Sequence, residues 1–189
     1  MTPHALTVDA GVRDLRAADH LLHALAAVLG LPDAVFGCTH LVRGERPRVV
    51  VSLALPSGPL LSTVEERLAA RGHRVTRGIP DAVGRAVLYP GAASLTGTLT
   101  VADVLARSAI DRVTVLGAPH PPATDTRLVT NDHVRPRWTA DGELVLSAMP
   151  AAGGVLVPFE MPDPTPCCAD HRARGRGAVD QGLPAQATS

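Results

Sequence analysis

Five cysteine and histidine side chains in this 189-residue chain have the chemistry to bind a metal ion, and they fall into two groups that are far apart in sequence. The first group is Cys-x-His in an apolar, strand-like segment, where residues two apart share a face and lie about 7 Å apart. The second group, Cys-Cys-x-x-His, has a spacing compatible with a turn. Thiolate and imidazole ligands together favour tetrahedral zinc. The sequence therefore predicts a zinc site formed by Cys38, His40, Cys167, Cys168 and His171.

A second interpretation of the same residues needs no metal. Common zinc motifs hold their ligands in paired two-residue knuckles, whereas two of these cysteines are adjacent. Cys38 would then be a small buried apolar residue, and Cys167, Cys168 and His171 would begin a mobile tail. One distance separates the two interpretations, because shared zinc ligation requires the Cys38 sulfur to lie about 4–5 Å from the sulfur of Cys167 or Cys168.

The adjacent cysteines also suggest an enzyme. Cys167 or Cys168 could act as a nucleophile, with His133 or His171 as the base that lowers the pKa of the thiol. Glu160 adds a carboxylate seven residues before the first of these cysteines. The enzymatic hypothesis is therefore a metal-assisted hydrolase or a cysteine-dependent enzyme. It requires the base within hydrogen-bonding distance of the thiol, which spacing along the chain does not establish.

A third group of side chains follows the Asn-Asp turn at residues 131–132 and is suited to ligand binding. Arg135, Arg137 and Trp138, together with His133, could line a polar pocket for an acidic or planar ligand or cofactor. Arginine suits this task because its guanidinium offers paired donors to a carboxylate or phosphate. The alternative is that these arginines project from a strand into solvent.

Composition excludes several classes of function. Hydrophobic residues make up 46% of the chain, as in an ordinary globular protein, so a wholly disordered chain is excluded. Eighteen acidic residues balance eighteen basic ones, and only four residues are aromatic, which makes nucleic acid an unlikely partner. The glycine-rich stretches contain neither of the usual phosphate-binding motifs. The partner that remains is a small molecule or another protein.

The chain contains no apolar run long enough to span a membrane, and its three cysteines do not suggest a secreted disulfide framework. All eighteen basic residues are arginine, and alanine, glycine, proline and valine are abundant, which indicates a GC-rich coding sequence. We therefore expect a cytoplasmic bacterial protein with no membrane association.

Three segments have helical signals. Apolar residues recur at spacings of three and four from Leu15 to Leu29, and Gly30 is placed to end that helix. Ser62 and Thr100 each begin a pattern with an acidic residue three positions later, which is typical of a capping box at a helix start. We therefore predict three helices that each pack one apolar stripe against a sheet.

The strands predict the rest of the fold. Val49–Leu55 is almost continuously apolar, as in a central strand covered on both faces. Before residue 118 the order β-α-β-α-β predicts parallel strands with helical crossovers, and residues 92–99 read as a loop. After residue 118 strands occur alone, with Asp141-Gly142 as a tight turn and Pro136 in an edge strand.

The predicted fold class is α/β, with α+β as the alternative: a mixed sheet covered by helices, a C-terminal β-meander and a disordered tail. We divide the chain into an α/β part (1–117), a β-rich part packed on it in one compact domain (118–171), and the tail (172–189). For function we expect a small cytosolic bacterial binding or accessory protein, with the enzyme described above as the alternative.

Overall fold

The computed structural model of the protein describes residues 4–44, 47–80 and 83–162, which form three α-helices and eleven β-strands. The helices are α1 (Leu15–Leu29), α2 (Gly58–Ala70) and α3 (Val101–Arg107). The strands are β1 (Ala5–Val12), β2 (Phe36–Val42), β3 (Arg48–Ala54), β4 (Arg74–Arg77), β5 (Arg85–Leu88), β6 (Thr98–Thr100), β7 (Arg112–Val115), β8 (Arg127–Val129), β9 (Arg137–Trp138), β10 (Leu144–Ala151) and β11 (Val155–Pro158). The predicted tail at 172–189 lies outside these residues.

All eleven strands belong to one mixed sheet in the order β4-β1-β3-β2-β5-β9-β10-β11-β8-β6, with β7 paired to β10. The prediction of a mixed sheet covered by helices and ending in a meander is confirmed, in the α+β form. The expectation of parallel strands before residue 118 is wrong, because β1 to β5 are joined by antiparallel pairs. Within the described residues the parallel pairs are β7–β10 and β8–β11.

Helix α1 follows its predicted signals closely. The Asp14 side chain accepts a hydrogen bond from the Ala17 amide at the start of the helix, and Gly30 ends it in the left-handed conformation with φ 63°. Its buried stripe contains Ala18, Leu22, Leu25 and Leu29 and one further residue, Asp19, whereas Leu15 of the predicted stripe is only partly buried. A carboxylate therefore faces the sheet within an otherwise apolar helix surface.

The other two helices test the two predicted capping boxes. Thr100 and Asp103 form the box as predicted, with both reciprocal hydrogen bonds present. The box at Ser62 is wrong, because α2 begins a full turn earlier. Ser57 is the N-cap there, its hydroxyl accepts a hydrogen bond from the Leu60 amide, and a proline occupies the first turn, where it costs no hydrogen bond.

Two hydrophobic cores lie on opposite faces of the sheet at β5. Helices α1 and α2 pack one core against β1, β3 and β5, whereas α3 contributes to the other with β7, β10 and β11. Consecutive residues of β5 show the alternation, since Val87 belongs to the first core and Ala86 to the second. Strand β5 is therefore covered on both faces, with Arg85, Ala86 and Val87 buried and Leu88 partly buried.

Two strand predictions need correction. Strand β9 pairs with both β5 and β10, so Pro136 does not mark an edge strand. The strand starts only at Arg137, one residue after the proline, so the missing proline N–H is not needed within the strand. The Pro136 carbonyl accepts a hydrogen bond from the Ala86 amide at 2.8 Å. The predicted loop at 92–99 contains a short helical turn, Ala92–Ser94, and the start of β6.

Strands from before and after residue 118 pair with each other. Strand β5 pairs with β9, β6 with β8, and β7 with β10. The division into parts at 1–117 and 118–171 stays a prediction about domain organisation. Among the described residues no helix has the length and apolar character to cross a membrane.

Candidate functional site

A buried arginine at the start of β5 is the centre of a cluster of charged side chains. Arg85 donates from Nη1 to Asp19 Oδ1 at 2.5 Å and from Nη2 to Asp19 Oδ2 at 3.1 Å, which forms a bidentate pair. Its Nε donates to both carboxylate oxygens of Glu160, at 2.7 and 2.8 Å, and its Nη2 also contacts Oε1 of Glu160. One guanidinium thus joins two carboxylates.

Every N–H of Arg85 has an acceptor. A guanidinium has five N–H donors. Four of them are directed at the two carboxylates, and the fifth, on Nη1, donates to Thr39 Oγ1 at 3.4 Å. Only 5% of the residue is exposed to solvent. Arg85 is therefore saturated by the protein itself, and its role in the site is to hold Asp19 and Glu160 in place.

Four separate segments of the chain bring these groups together. Asp19 lies four residues after Leu15 and three before Leu22, so the geometry of α1 directs it at the sheet with the apolar stripe. Thr39 on β2 and Arg85 on β5 are register partners in adjacent strands. Glu160 is the second residue after β11. Residues from four distant parts of the chain therefore meet over one face of the sheet.

The segment that leads into β9 adds a row of basic side chains. His133, Arg135 and Arg137 alternate along it, and all three line the same cavity. Arg135 Nε donates to Asp19 Oδ2 at 3.0 Å, His133 Nε2 lies 3.5 Å from Glu160 Oε1, and Arg137 Nη2 lies 3.9 Å from Glu160 Oε2. The row lies beside the two carboxylates that Arg85 holds.

These side chains line a cavity of about 700 Å³, which we call the charged cavity. Its ionised lining residues are Arg16, Asp19, Arg85, Arg135, Arg137 and Glu160. Three histidines, His20, His23 and His133, and a few apolar side chains, among them Leu15, Val145, Phe159 and Met161, complete it. Without Arg16, three arginines face two carboxylates among the described lining residues, an excess of one positive charge when the histidines are neutral.

The carboxylates stay ionised despite their burial. Burial raises the pKa of Asp19, but the hydrogen bonds and charge of Arg85, and then those of Arg135, outweigh it and hold that pKa below its ordinary value of 3.8. Burial likewise raises the pKa of Glu160, and its hydrogen bond and attraction to Arg85 overcome this, so its pKa lies below 4.5. Both groups are therefore anions at neutral pH.

Two histidines of the cavity respond to its positive field. Burial lowers the pKa of His133 below 6.5, repulsion from Arg135 lowers it further, and the nearby Glu160 only partly opposes this. The pKa of His23 is lowered by burial and by the same arginine. Both imidazoles are therefore neutral at pH 7, and the positive charge of Arg135 contributes to the lowered pKa of each.

The opposite face of the same strands carries the predicted residues Cys38 and His40. They share a face of β2 as expected, and both side chains pack against Gly84: a Cβ added there would lie 2.9 Å from Cys38 Cβ and 2.9 Å from His40 Cε1. His40 Nε2 lies 2.8 Å from Ser52 Oγ. Burial raises the pKa of the Cys38 thiol to about 12. The thiol is therefore protonated at neutral pH.

The zinc hypothesis stays a prediction. Cys167, Cys168 and His171 lie outside the described residues, so their distances to Cys38 and His40 are not part of this structure. Within 4–44, 47–80 and 83–162, no group of three or more histidine, cysteine, aspartate or glutamate side chains is arranged to hold a metal ion. The nucleophilic role proposed for Cys167 or Cys168 is likewise untested.

The predicted ligand-binding residues separate onto the two faces. Arg135, Arg137 and His133 line the charged cavity, as does Glu160. Trp138 does not belong to its lining; it lies against Phe36, with ring centroids 5.4 Å apart, beside the core that contains Cys38. The alternation of β9 explains this, since Arg137 and Trp138 are consecutive strand residues and point in opposite directions.

Sequence reasoning missed the two central residues of the site, Asp19 and Arg85. Asp19 stands among the apolar positions of the α1 stripe, and an acidic residue at such a position signals a buried charge that needs a partner. Arg85 opens a four-residue apolar strand. Both charged residues stand out among apolar neighbours in the sequence, but predicting that they pair requires knowing that α1 packs over β5.

No protein-family model, curated protein or solved structure matches this chain.

Proposed function

We propose that this protein binds a small anionic molecule in the charged cavity, and that it acts as a binding or accessory protein. The observation that supports the proposal is that the arginines of the cavity differ in their unused hydrogen-bond donors. Arg85 has no donor left, whereas Arg135 and Arg137 keep donors that are not used within the described residues. A ligand can therefore bind without dismantling the pairs that hold the site together.

The unused donors belong to specific atoms. Arg135 commits Nε to Asp19 and Nη1 to the Val134 carbonyl at 3.2 Å, and in the part of the chain that the structure describes its Nη2 has no acceptor. The Arg137 side chain makes no hydrogen bond there, and its ion pair with Glu160 at 3.9 Å leaves its donors available. Arginine donors and an excess of positive charge both favour a carboxylate or phosphate.

The partial burial of Arg135 supports a ligand rather than a solvent-exposed charge. Its side chain is 14% exposed, against 58% for Arg137 at the cavity mouth. An anion placed between them would exchange bulk hydration for charge-assisted hydrogen bonds in a partly desolvated site, where such bonds are strong. The volume of about 700 Å³ lies in the range of pockets for organic ligands.

Calorimetric titration with citrate and with inorganic phosphate at pH 7 and low salt tests the proposal. We expect one saturable site for at least one of these anions and no binding of sorbitol, a neutral molecule similar in size to citrate. Arg135→Gln should weaken binding roughly tenfold to a hundredfold, the value of one charge-assisted hydrogen bond. Arg137→Gln should weaken it less, because Arg137 is more exposed.

Arg112→Gln is the matched control. Arg112 makes an exposed ion pair with Glu143 at 2.6 Å and does not line the cavity, so its loss removes the same charge from the protein at a distance from the site. Equal weakening by Arg112→Gln and Arg135→Gln would reduce the effect to net charge and contradict a specific site. The absence of binding by both anions would contradict the proposal directly.

The enzyme stays the alternative function. His133 is held neutral beside Glu160, as a general base requires, but the nucleophilic cysteines proposed for it lie outside the described residues. Cytoplasmic location, bacterial origin and zinc binding also stay predictions from the sequence.

A further inference from the structure

We infer that the ligand of the charged cavity is an aromatic acid, with its anionic group at Arg135 and Arg137 and its ring against the apolar side chains of the same cavity. The inference rests on the proposed function and adds the ligand class to it. Two of these apolar side chains are large and exposed, Phe159 to 57% and Met161 to 43%. A ligand ring that removes them from water gains binding free energy.

The apolar side chains of the cavity lie where β10 and β11 pair. The Phe159 amide donates to the Ser147 carbonyl at 2.9 Å, which extends the pairing of the two strands one residue beyond β11. Phe159 and Ser147 are therefore opposite each other and project from the same face of the sheet, the face that lines the cavity. Val145 lies two residues earlier on β10 and shares that face. We call Val145, Phe159 and Met161 the apolar wall.

Glu160 connects the apolar wall to the charged part of the site. It stands between Phe159 and Met161 in the sequence, and both of its carboxylate oxygens accept hydrogen bonds from Arg85 Nε, at 2.7 and 2.8 Å. The pairing that holds Glu160 therefore also holds the backbone from which the two exposed apolar side chains project. A ligand meets this wall in a fixed position relative to the arginines.

The anionic group and the ring of a short acid can contact both parts of the cavity at once. Strands β9 and β11 lie on either side of β10, so their axes are about 10 Å apart, twice the spacing of neighbouring strands. Arg137 reaches across this gap from β9, since its Nη2 lies 3.9 Å from Oε2 of Glu160, the residue after Phe159. An anion bound by Arg137 therefore has the apolar wall beside it, and a short linker between carboxylate and ring is sufficient.

The chemistry of the wall favours an aromatic ring over an aliphatic group. The Phe159 ring offers a face and an edge for offset or edge-to-face packing with a ligand ring, and the Met161 thioether makes favourable contacts with ring edges. The guanidinium of Arg137, whose side chain is 58% exposed, attracts the face of an aromatic ring as well as the anion. These contacts add to the burial of apolar area, which a saturated ring supplies alone.

Calorimetric titration of the full chain with propionate, phenylpropionate and cyclohexylpropionate at pH 7 and low salt tests the inference, with citrate and phosphate as reference anions. Phenylpropionate should bind roughly tenfold to a hundredfold more tightly than propionate, the value of burying an apolar ring. It should also bind about twofold to tenfold more tightly than cyclohexylpropionate, because only the aromatic ring makes the additional contacts. Phenylpropanol should bind much more weakly than phenylpropionate, since it lacks the charge that the arginines recognise.

Phe159→Ser removes the ring from the apolar wall. It should weaken phenylpropionate binding roughly tenfold and leave citrate and phosphate binding unchanged, which also shows that the variant is folded. Phe159→Trp keeps an aromatic face and should retain the preference for phenylpropionate. Leu41→Ser is the matched control, because Leu41 is also exposed, to 63%, and does not line the cavity. It should change no affinity, and equal weakening by Leu41→Ser and Phe159→Ser would contradict the apolar wall.

The outcomes separate the inference from the proposed function. If neither citrate nor phosphate binds, the proposed function fails. If one of them binds and phenylpropionate is no tighter than propionate, only the aromatic ligand is excluded. Tighter binding of cyclohexylpropionate than of phenylpropionate would likewise overturn the aromatic class. If phenylpropionate binding is unchanged in Phe159→Ser and in Met161→Ser, the placement of the ring at the apolar wall is wrong.

Discussion

Strands β2 and β5 separate two buried polar regions of opposite character. On one face Cys38 and His40 pack closely against Gly84, His40 lies 2.8 Å from Ser52, and the Cys38 thiol stays protonated. On the other face Arg85 joins Asp19 and Glu160, all three ionised, beside an open cavity. Gly84 and Arg85 are consecutive residues, so the two environments differ because of what packs above each face.

The difference shows how a sheet of ordinary composition acquires a site. A buried charge persists only where a partner of opposite charge reaches it, and α1 and the segment after β11 bring such partners to one face only. The opposite face, which we call the neutral face because its Cys38 thiol stays protonated, is covered by apolar side chains. The charged face combines rigidity with accessible volume, as a binding site needs.

The largest effect is expected from Arg85→Met. The change leaves two buried carboxylates without their common partner, and breaking a buried ion pair in this way costs about 3–5 kcal/mol of unfolding free energy. Urea denaturation at pH 7 measures it. Arg77→Ala, which breaks an exposed ion pair with Glu65, should leave the midpoint almost unchanged.

A triple variant sharpens this result. Adding Asp19→Asn and Glu160→Gln to Arg85→Met removes the charges that the single substitution leaves unpaired, so part of the lost stability should return. If the triple variant is less stable than the unmodified protein by the sum of the three single losses, the charged face is not a coupled network and the comparison between the faces fails.

A smaller effect is expected from Gly84→Ala on the neutral face. The added Cβ would lie 2.9 Å from Cys38 Cβ and from His40 Cε1, which is too close for packed side chains, and overpacking of this kind costs about 1–3 kcal/mol. Thermal or urea unfolding measures the loss. Gly44→Ala is the control, because its Cβ would meet no atom within 4 Å. Equal stability of the two variants would mean that the packing around Gly84 can accommodate an added methyl group.

The smallest effect is a change in pH dependence. Because the pKa of Glu160 lies below 4.5 in the folded protein, its contribution to stability is fully present above the unfolded value and is lost as pH falls through the folded one. Unfolding free energy should therefore decrease with acidification below about pH 4.5, and Glu160→Gln should make this decrease shallower. Denaturation curves between pH 3 and 7 measure the slope.

Cys38→Ala is the control for the pH series. It removes a side chain from the neutral face whose pKa is raised to about 12, so its stability curve should run parallel to that of the unmodified protein across this range. A slope that is the same in Glu160→Gln and in the unmodified protein would contradict the ionised pairing of Glu160 with Arg85.

Much of the local structure could be predicted from the sequence. The apolar stripe and caps of α1, the capping box at Thr100 and the turn at Asp141-Gly142 each depend on residues close together in the chain. The start of α2 was misplaced because Ser57 and Ser62 offer competing caps, and the choice depends on packing against the sheet. Strand direction was predicted wrongly because consecutive strands can also pair antiparallel as hairpins, and the sequence pattern does not show which strands pair.

The sequence by itself determined the amphipathic elements, the balance of charges and the row of basic residues from His133 to Arg137, because these depend on periodicity and composition. Only the tertiary structure decided that this row meets Asp19, Arg85 and Glu160 around one cavity. These residues are brought together by non-local strand pairing and helix packing. Ion-pair strength depends on separation and burial, which spacing along a chain does not encode.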